Sequence, residues 1–296
     1  MTDLAERMTI LRARPRLPSG RLVALLAWPT LAIVGLSAFP LFLLLQVSTA
    51  HREPGALWSP GFEWTQYGQV FDATFLRMLG YSAVLATVVS VTVAAIGLPL
   101  TYLITRMRRR SQMVWLVGLL TTLSLSEVLI SFAWQVMLAR RIGLSDLLAA
   151  VGLLSEAQSL YPSAGAMLAC LVYLTLPFSV LLLYPSLSRI DRDLLEAART
   201  MGASPLRGFF TIILPLMRRP LVSSLVVVFI FTVGSYVTPL VLGKPEQWTV
   251  GVLISNTVLG AGNVPLGAAQ AVIFLGLTLL LTGATALLGR RKGDKP

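Results

Sequence analysis

The sequence predicts an all-α, polytopic membrane protein with six transmembrane helices, and three observations carry that prediction. Mean hydropathy is +0.77. Only 12% of the residues are charged while 55% are hydrophobic, against about 25% charged in a soluble domain. Apolar runs of about 20 residues recur, the length a helix needs to cross the hydrocarbon core. Nothing outside these runs is long enough for a soluble core. The chain therefore divides into a tail 1–21, one membrane domain 22–288 and a tail 289–296.

The first span, Leu22–Val47, follows Arg7, Arg12, Arg14, Arg16 and Arg21. It is too long for a signal-peptide core and no small-residue cleavage pattern follows, so no cleaved leader is expected. Residues 48–80 form the first outer loop. Its Trp58, Trp64, Tyr67 and Phe71 are residue types of the membrane–water interface, and the loop is expected to lie on that surface. The second span is Tyr81–Thr105. The third is a continuous helix over Met113–Leu138. After it, Ile142–Leu154 is amphipathic and fits a short helix along the membrane surface. Ala164–Leu187 is the fourth span, Leu221–Val241 the fifth and Leu266–Leu288 the sixth. Gly234 and Pro239 are able to break the fifth.

Lys and Arg set the orientation. With the N-terminus inside, the inner segments hold 19 of the 24 basic residues, so both termini are placed in the cytoplasm. The net charge of +11 is then a topology signal, and nucleic acid is not an expected partner. Cys170 and His51 are each the sole residue of their type, which excludes a disulfide framework, a histidine cluster and a metal site.

The segment between the fourth and fifth spans, about 188–220, carries six arginines and three acids. Ser188-x-x-Asp191 fits a capping box with Asp in place of Glu. Asp191 and Asp193 suit a first helical turn, and Leu194–Met201 are mostly good helix formers. Gly202 is placed as a C-terminal stop. Ser204-Pro205 restarts a helix as N-cap and first residue. Two short helices meeting at a bend around 202–204 can seat in a partner's groove. The same outline resembles a DNA-reading helical pair, but tethering between two spans keeps it from a major groove.

Glu196-Ala197-Ala198, then Gly202, then Ile212-x-Leu214-Pro215 matches the EAA signature of binding-protein-dependent ABC importer permeases and lies where that family carries it. Leu176-Pro177-Phe178, the run Gly234–Gly243 and Pro265-x-Gly267-Ala268-Ala269 extend the similarity. Within the family they resemble permeases of polyamine importers of the spermidine/putrescine type. The resemblance implies a type I ABC importer permease fold in the bacterial cytoplasmic (inner) membrane. It implies as partners a cytoplasmic ATPase dimer, a second permease subunit making a heterodimer, an extracytoplasmic solute-binding protein and membrane lipid. Glu196, Ala197, Ala198, Arg199 and Gly202 would form the ATPase-coupling surface. Glu196 and Arg199 would be its polar contacts, the alanines its close approach and Gly202 its bend. The chain has no Walker A pattern, so it is expected to bind no cofactor and to be no enzyme. ATP and Mg belong with the ATPase.

Only one acid lies deep in a span, and charges there are costly and usually functional. Glu127 is about fourteen residues into the third predicted helix, roughly 21 Å along it. Ser124, Ser131 and Trp134 lie at helical spacings from it. The group can receive an ammonium, or serve as a structural hydrogen-bonding pair. Ser235, Tyr236 and Thr238 form a second polar group near the outer end of the fifth span. Asn256 and Asn263 lie beyond, as candidates for an outer gate. Relatives that carry polyamines often have an acid after the glycine where this chain has Ser235, a departure that counts against a multiply charged cation. A polyamine leads the cargo classes, followed by aminophosphonates, opines, ferric iron and thiamine. An ion-gradient-driven transporter would need inverted repeats and ionisable relays, and it would leave the 188–220 segment unexplained. A membrane enzyme would need paired carboxylates or a nucleophile, which are not seen.

Overall fold

The computed structural model describes residues 19–53, 57–140, 158–191 and 193–290, with 144, 146, 151 and 152. The predicted helix over Ile142–Leu154 falls largely outside the described residues, as do most of both tails. Among the described residues the chain is helical and has no strand beyond one bridge between His51 and Ser59.

Helix α1 spans Ser19–Ser48 and packs along the last helix, leaving much of its apolar surface open. A short α2, Thr65–Val70, lies in the segment between α1 and the next long helix. There Tyr67 and Ser48 share a hydroxyl–hydroxyl bond of 2.7 Å, and Trp64 packs edge-on to Phe62 and tilted against Tyr67. Hydrogen bonds from Thr65 and then from His51 hold the Glu63 carboxyl below its usual range.

Helix α3, Ala73–Arg106, begins at an Asp72 cap that accepts the Phe75 N–H. It begins eight residues before the predicted second span. Helix α4, Arg109–Ser124, is followed by α5, Glu127–Met137, at an angle of 97°. The predicted third span, Met113–Leu138, is therefore not one helix but a pair broken at 125–126. The ladder ends at Ser124, Ser126 turns extended, and its hydroxyl accepts the Val128 N–H to cap the new helix. Helix α6, Ala164–Leu187, coincides with the fourth predicted span. Helix α7, Asp193–Thr200, and α8, Pro205–Leu216, form the connecting pair. Helix α9, Arg218–Val233, leaves α8 at 74°. It stops at Gly234, and α10, Val237–Leu242, follows. Pro239 is not the breaker; it sits in the first turn of α10, where an amide has no intrahelical partner to lose. Helix α11, Val250–Ser255, runs on as a wider turn to Gly260, and α12, Val264–Arg290, closes the chain. Among the described residues four helices are long and apolar enough to cross a membrane, or up to six if each bent pair is one span.

The centre is α3, α6 and α9 with α5 and α10 against them. Leu85, Val89, Val93, Met167, Cys170, Leu171, Val228 and Leu242 are buried there. A second cluster of Leu98, Leu183, Leu187, Leu195, Ile213 and Met217 fixes the connecting pair under the bundle. A third, of Val70, Phe75, Met78, Val250 and Ala269, holds the opposite end.

Where α3 crosses α6 the contact has no room for a side chain. A Cβ on Gly97 would lie 2.8 Å from Ser179 Oγ, which itself accepts the Ser224 hydroxyl at 2.7 Å. Gly97→Leu is expected to destabilise by about 1–3 kcal/mol through overpacking. Gly80→Leu, on the open side of the same helix, should cost little. Thermal denaturation of the two purified variants checks the difference.

Candidate functional site

Helix α7 is amphipathic and short. Leu195 and Ala198 are buried toward the bundle, and Glu196, Ala197 and Arg199 are exposed on the other side. Ala198 thus spends its small size on the chain's own packing rather than on an outward surface. The helix ends in a Schellman turn. Gly202 has φ +85°, its N–H reaches the Arg199 carbonyl at 2.9 Å, and the Ala203 N–H reaches the Ala198 carbonyl at 2.9 Å. A side chain at that φ is strained. The restart forms as read: the Ser204 hydroxyl accepts the Arg207 N–H and Pro205 is the first helical residue.

The capping box at Ser188 does not form. Helix α6 continues to Leu187, and the Ser188 hydroxyl donates to the Pro185 carbonyl. The Asp191 carboxylate takes the Asp193 N–H instead. Along α8 a wider turn over Phe209–Ile213 precedes Pro215 and seats Phe209 edge-on to Tyr102 of α3. Met201 is 82% exposed and Leu206 73%. The outward face of the pair is thus apolar and open, beside Glu196 and Arg199.

The second site lies where the two interrupted spans meet. Glu127 opens α5, and its Oε1 accepts the Ser235 hydroxyl at 2.9 Å, the Thr238 hydroxyl at 3.0 Å and the Thr238 N–H at 3.4 Å. With the Thr238 proton committed to Glu127, the Ser131 hydroxyl is the donor in its 2.9 Å bond to Thr238. Ser131, Ser235 and Thr238 are buried and Glu127 is half-buried. The Ser235 carbonyl accepts the Thr249 hydroxyl at 2.9 Å, which ties in the segment before α11. Cys170 is fully buried beside Ser131 and Thr238.

The structure thus unites Glu127, Ser131, Ser235 and Thr238, which are predicted as two separate groups. It does not bring Trp134 to the carboxylate; that ring packs against Tyr173 at 5.9 Å. Ser124 lies across the break and donates to Leu120 of its own helix. Tyr236 is half-buried at the start of α10 and Asn256 is exposed. Asn263 is buried and caps α12 by accepting the Leu266 N–H. Cys170 and Thr249 are missed by the sequence reading, and nothing in their neighbouring residues marks them. The break at 125–126 carries a signal: Ser126 followed by Glu127 is an N-cap with an acid in the first turn.

A helical bundle of this kind, with a capped pair hung between two spans and a polar junction between broken ones, is that of a membrane transport permease. Residues 95–294 match the family described as binding-protein-dependent transport system inner membrane component, and the chain belongs to that family. It is 24% identical over 277 residues, 92% of this chain and 95% of the relative, to the spermidine/putrescine transport system permease protein PotB of Salmonella typhimurium strain SL1344. The PotB protein of Haemophilus influenzae is 26% identical over 82% of this chain and 84% of its own length. The fold superposes with a TM-score of 0.71 on a chain from the crystal structure of a bacterial ABC transporter that imports the acidic polysaccharide alginate. Identity there is 14%, with 92% of this chain and 96% of that one covered.

The Thr238 hydroxyl serves both Ser131 and Glu127. Thr238→Val is expected to cost about 1–3 kcal/mol by leaving buried polar groups unanswered. In combination with Glu127→Gln the loss should fall short of the sum of the single losses. Denaturation midpoints of the two single variants and the double variant check this.

Proposed function

We propose that this chain is one of two permease subunits of an ATP-driven importer in the bacterial inner membrane. Six spans cross the bilayer within 22–288, both termini are cytoplasmic, and the 188–220 segment docks on a cytoplasmic ATPase dimer. The observation that carries the proposal is the division of labour in α7 and α8. Their inward face is consumed by the chain's own core, while Glu196, Ala197, Arg199, Met201 and Leu206 remain open around a glycine-capped bend. The 19 inward-counted basic residues support that side as cytoplasmic. ATP and Mg bind the ATPase, and this chain supplies no catalytic group. A second, different permease and an extracytoplasmic solute-binding protein complete the assembly.

The cargo we propose is a polyamine-type cation, on two supports. One is the similarity to the PotB proteins. The other is the position of the acid. Ser235 stands where polyamine-carrying relatives often have a carboxylate, and Glu127 brings one to within 2.9 Å of that serine from the facing span. Its Oε1 is filled by donors of the protein, while the described residues place none on Oε2. A half-buried carboxylate with one oxygen open can accept an ammonium group. The structural reading of Glu127 rests on the same three donors, and uptake by Glu127→Gln separates the two. As a cargo ligand, its loss lowers radiolabelled spermidine or putrescine uptake about tenfold or more. Unchanged uptake leaves Glu127 a structural pair.

Coupling is tested at the bend. Gly202→Val is expected to insert normally but to lower uptake at least tenfold, while Gly202→Asn retains most of it because asparagine tolerates positive φ. Uptake by intact cells should also stop on ATP depletion with the proton gradient maintained. Uptake that survives ATP depletion overturns the importer assignment.

A further inference from the structure

A cleft of about 150 Å³ lies on the side of the connecting pair, away from the polar junction. It is lined by Tyr102, Arg106, Gln112, Tyr184, Ser188 and Ile213 among others. It opens where α3 ends, α4 begins and α6 ends, with Ile190 of the turn after α6 and Ile213 of α8 completing its lining. Its volume exceeds what one water needs.

Arg106 is the one charged side chain among its lining residues. It is half-buried, and its guanidinium lies over the Tyr102 ring, 5.0 Å from the centroid. Among the described residues no carboxylate pairs with it. The nearest acids in sequence to the lining, Asp191 and Asp193, are exposed, and Asp191 is bonded to the Asp193 N–H. The walls around Arg106 are polar and already fixed. The Tyr184 hydroxyl donates to Gln112 Oε1 at 2.9 Å, and Gln112 Nε2 donates to the carbonyls of Thr105 and Met107. The first turn of α4 has no side-chain cap, so its leading amides add positive potential beside Gln112. Arg108, Arg109 and Arg110 are exposed at the rim. A preorganised guanidinium without its own carboxylate, in a polar cleft at the basic end of a membrane bundle, is matched by a phosphate group.

We propose that this cleft binds a phosphate group, and that the headgroup of an anionic phospholipid of the inner leaflet supplies it. Basic clefts between spans on the cytoplasmic side are sites for such headgroups. Ile190 and Ile213 of the connecting segment line the same cleft, so an occupant braces the pair against the bundle. The site is independent of the cargo.

The test uses the full chain purified with the subunits that accompany it, in nanodiscs of equal parts phosphatidylcholine and phosphatidylglycerol, with native mass spectrometry counting retained phosphatidylglycerol. The wild type is expected to retain it, and Arg106→Gln to lower occupancy about tenfold. Arg106→Lys, which keeps the charge and loses the fork, should fall between them. Arg110→Gln at the rim should change little. Inorganic phosphate titrated into the same discs distinguishes the sources: a lipid occupant stays, and displacement by millimolar phosphate assigns the site to a free anion instead. Equal retention by wild type and Arg106→Gln overturns the proposal. So does an equal loss in Arg110→Gln, which would reduce the effect to the rim's field. Retention seen only after the accompanying subunits are stripped also overturns it, because a partner side chain would then hold the cleft.

Discussion

One carboxylate oxygen, Glu127 Oε1, is where two interrupted spans answer each other. Inside a bilayer every backbone polar group must find a partner within the protein, and irregular backbone is tolerated only where it is buried or lines a cavity. Two of the helix breaks among the described residues, at 125–126 and at 234–236, are brought together. The acid that opens one short helix accepts the Thr238 amide and hydroxyl near the start of the other, and the Ser235 hydroxyl just before it. Ser131 and Thr249 extend the bonding to their own elements. Removing the acid would leave two helix ends without their shared acceptor, so neither break is independent of the other.

That junction and the connecting pair sit at opposite ends of the same three central helices. Helices α3, α6 and α9 are buried against each other along their length. Their far ends grip α7 and α8 through Leu98, Leu187, Leu195, Ile213 and Met217. A force on the pair therefore reaches the junction through packed helices. Cores packed to solid density transmit displacement rather than absorb it. The Schellman turn at Gly202 and the Ser204 cap satisfy the pair's own backbone ends, so its outward side chains have no internal duty.

Much of this was legible in the residues. Apolar length marked α1, α3, α6 and α12, and glycine, serine and proline at 202–205 marked the bend to the residue. Both rest on local chemistry that does not depend on neighbours. The break within the third span was missed because hydropathy runs unbroken through Leu125, and a helix break without glycine or proline shows only as the Ser126–Glu127 cap. Grouping Glu127 with Ser124 failed for the same reason, since a helical spacing counted from a continuous helix loses its meaning at a 97° bend. The contact between Glu127 and Ser235, more than a hundred residues apart, is tertiary and no local pattern encodes it. Ser188 was misread as a cap because α6 had one more use for it as its end.

The central claim is that the open face of α7 and α8 touches an ATPase. The most direct measurement places a photo-crosslinking amino acid at Ala197 and, as a control, at the exposed Leu36 of α1, in cells that make the whole system. After irradiation the Ala197 adduct should carry peptides of a protein with nucleotide-binding motifs, and the Leu36 adduct should not. An Ala197 variant that inserts normally yet yields no such adduct contradicts the account.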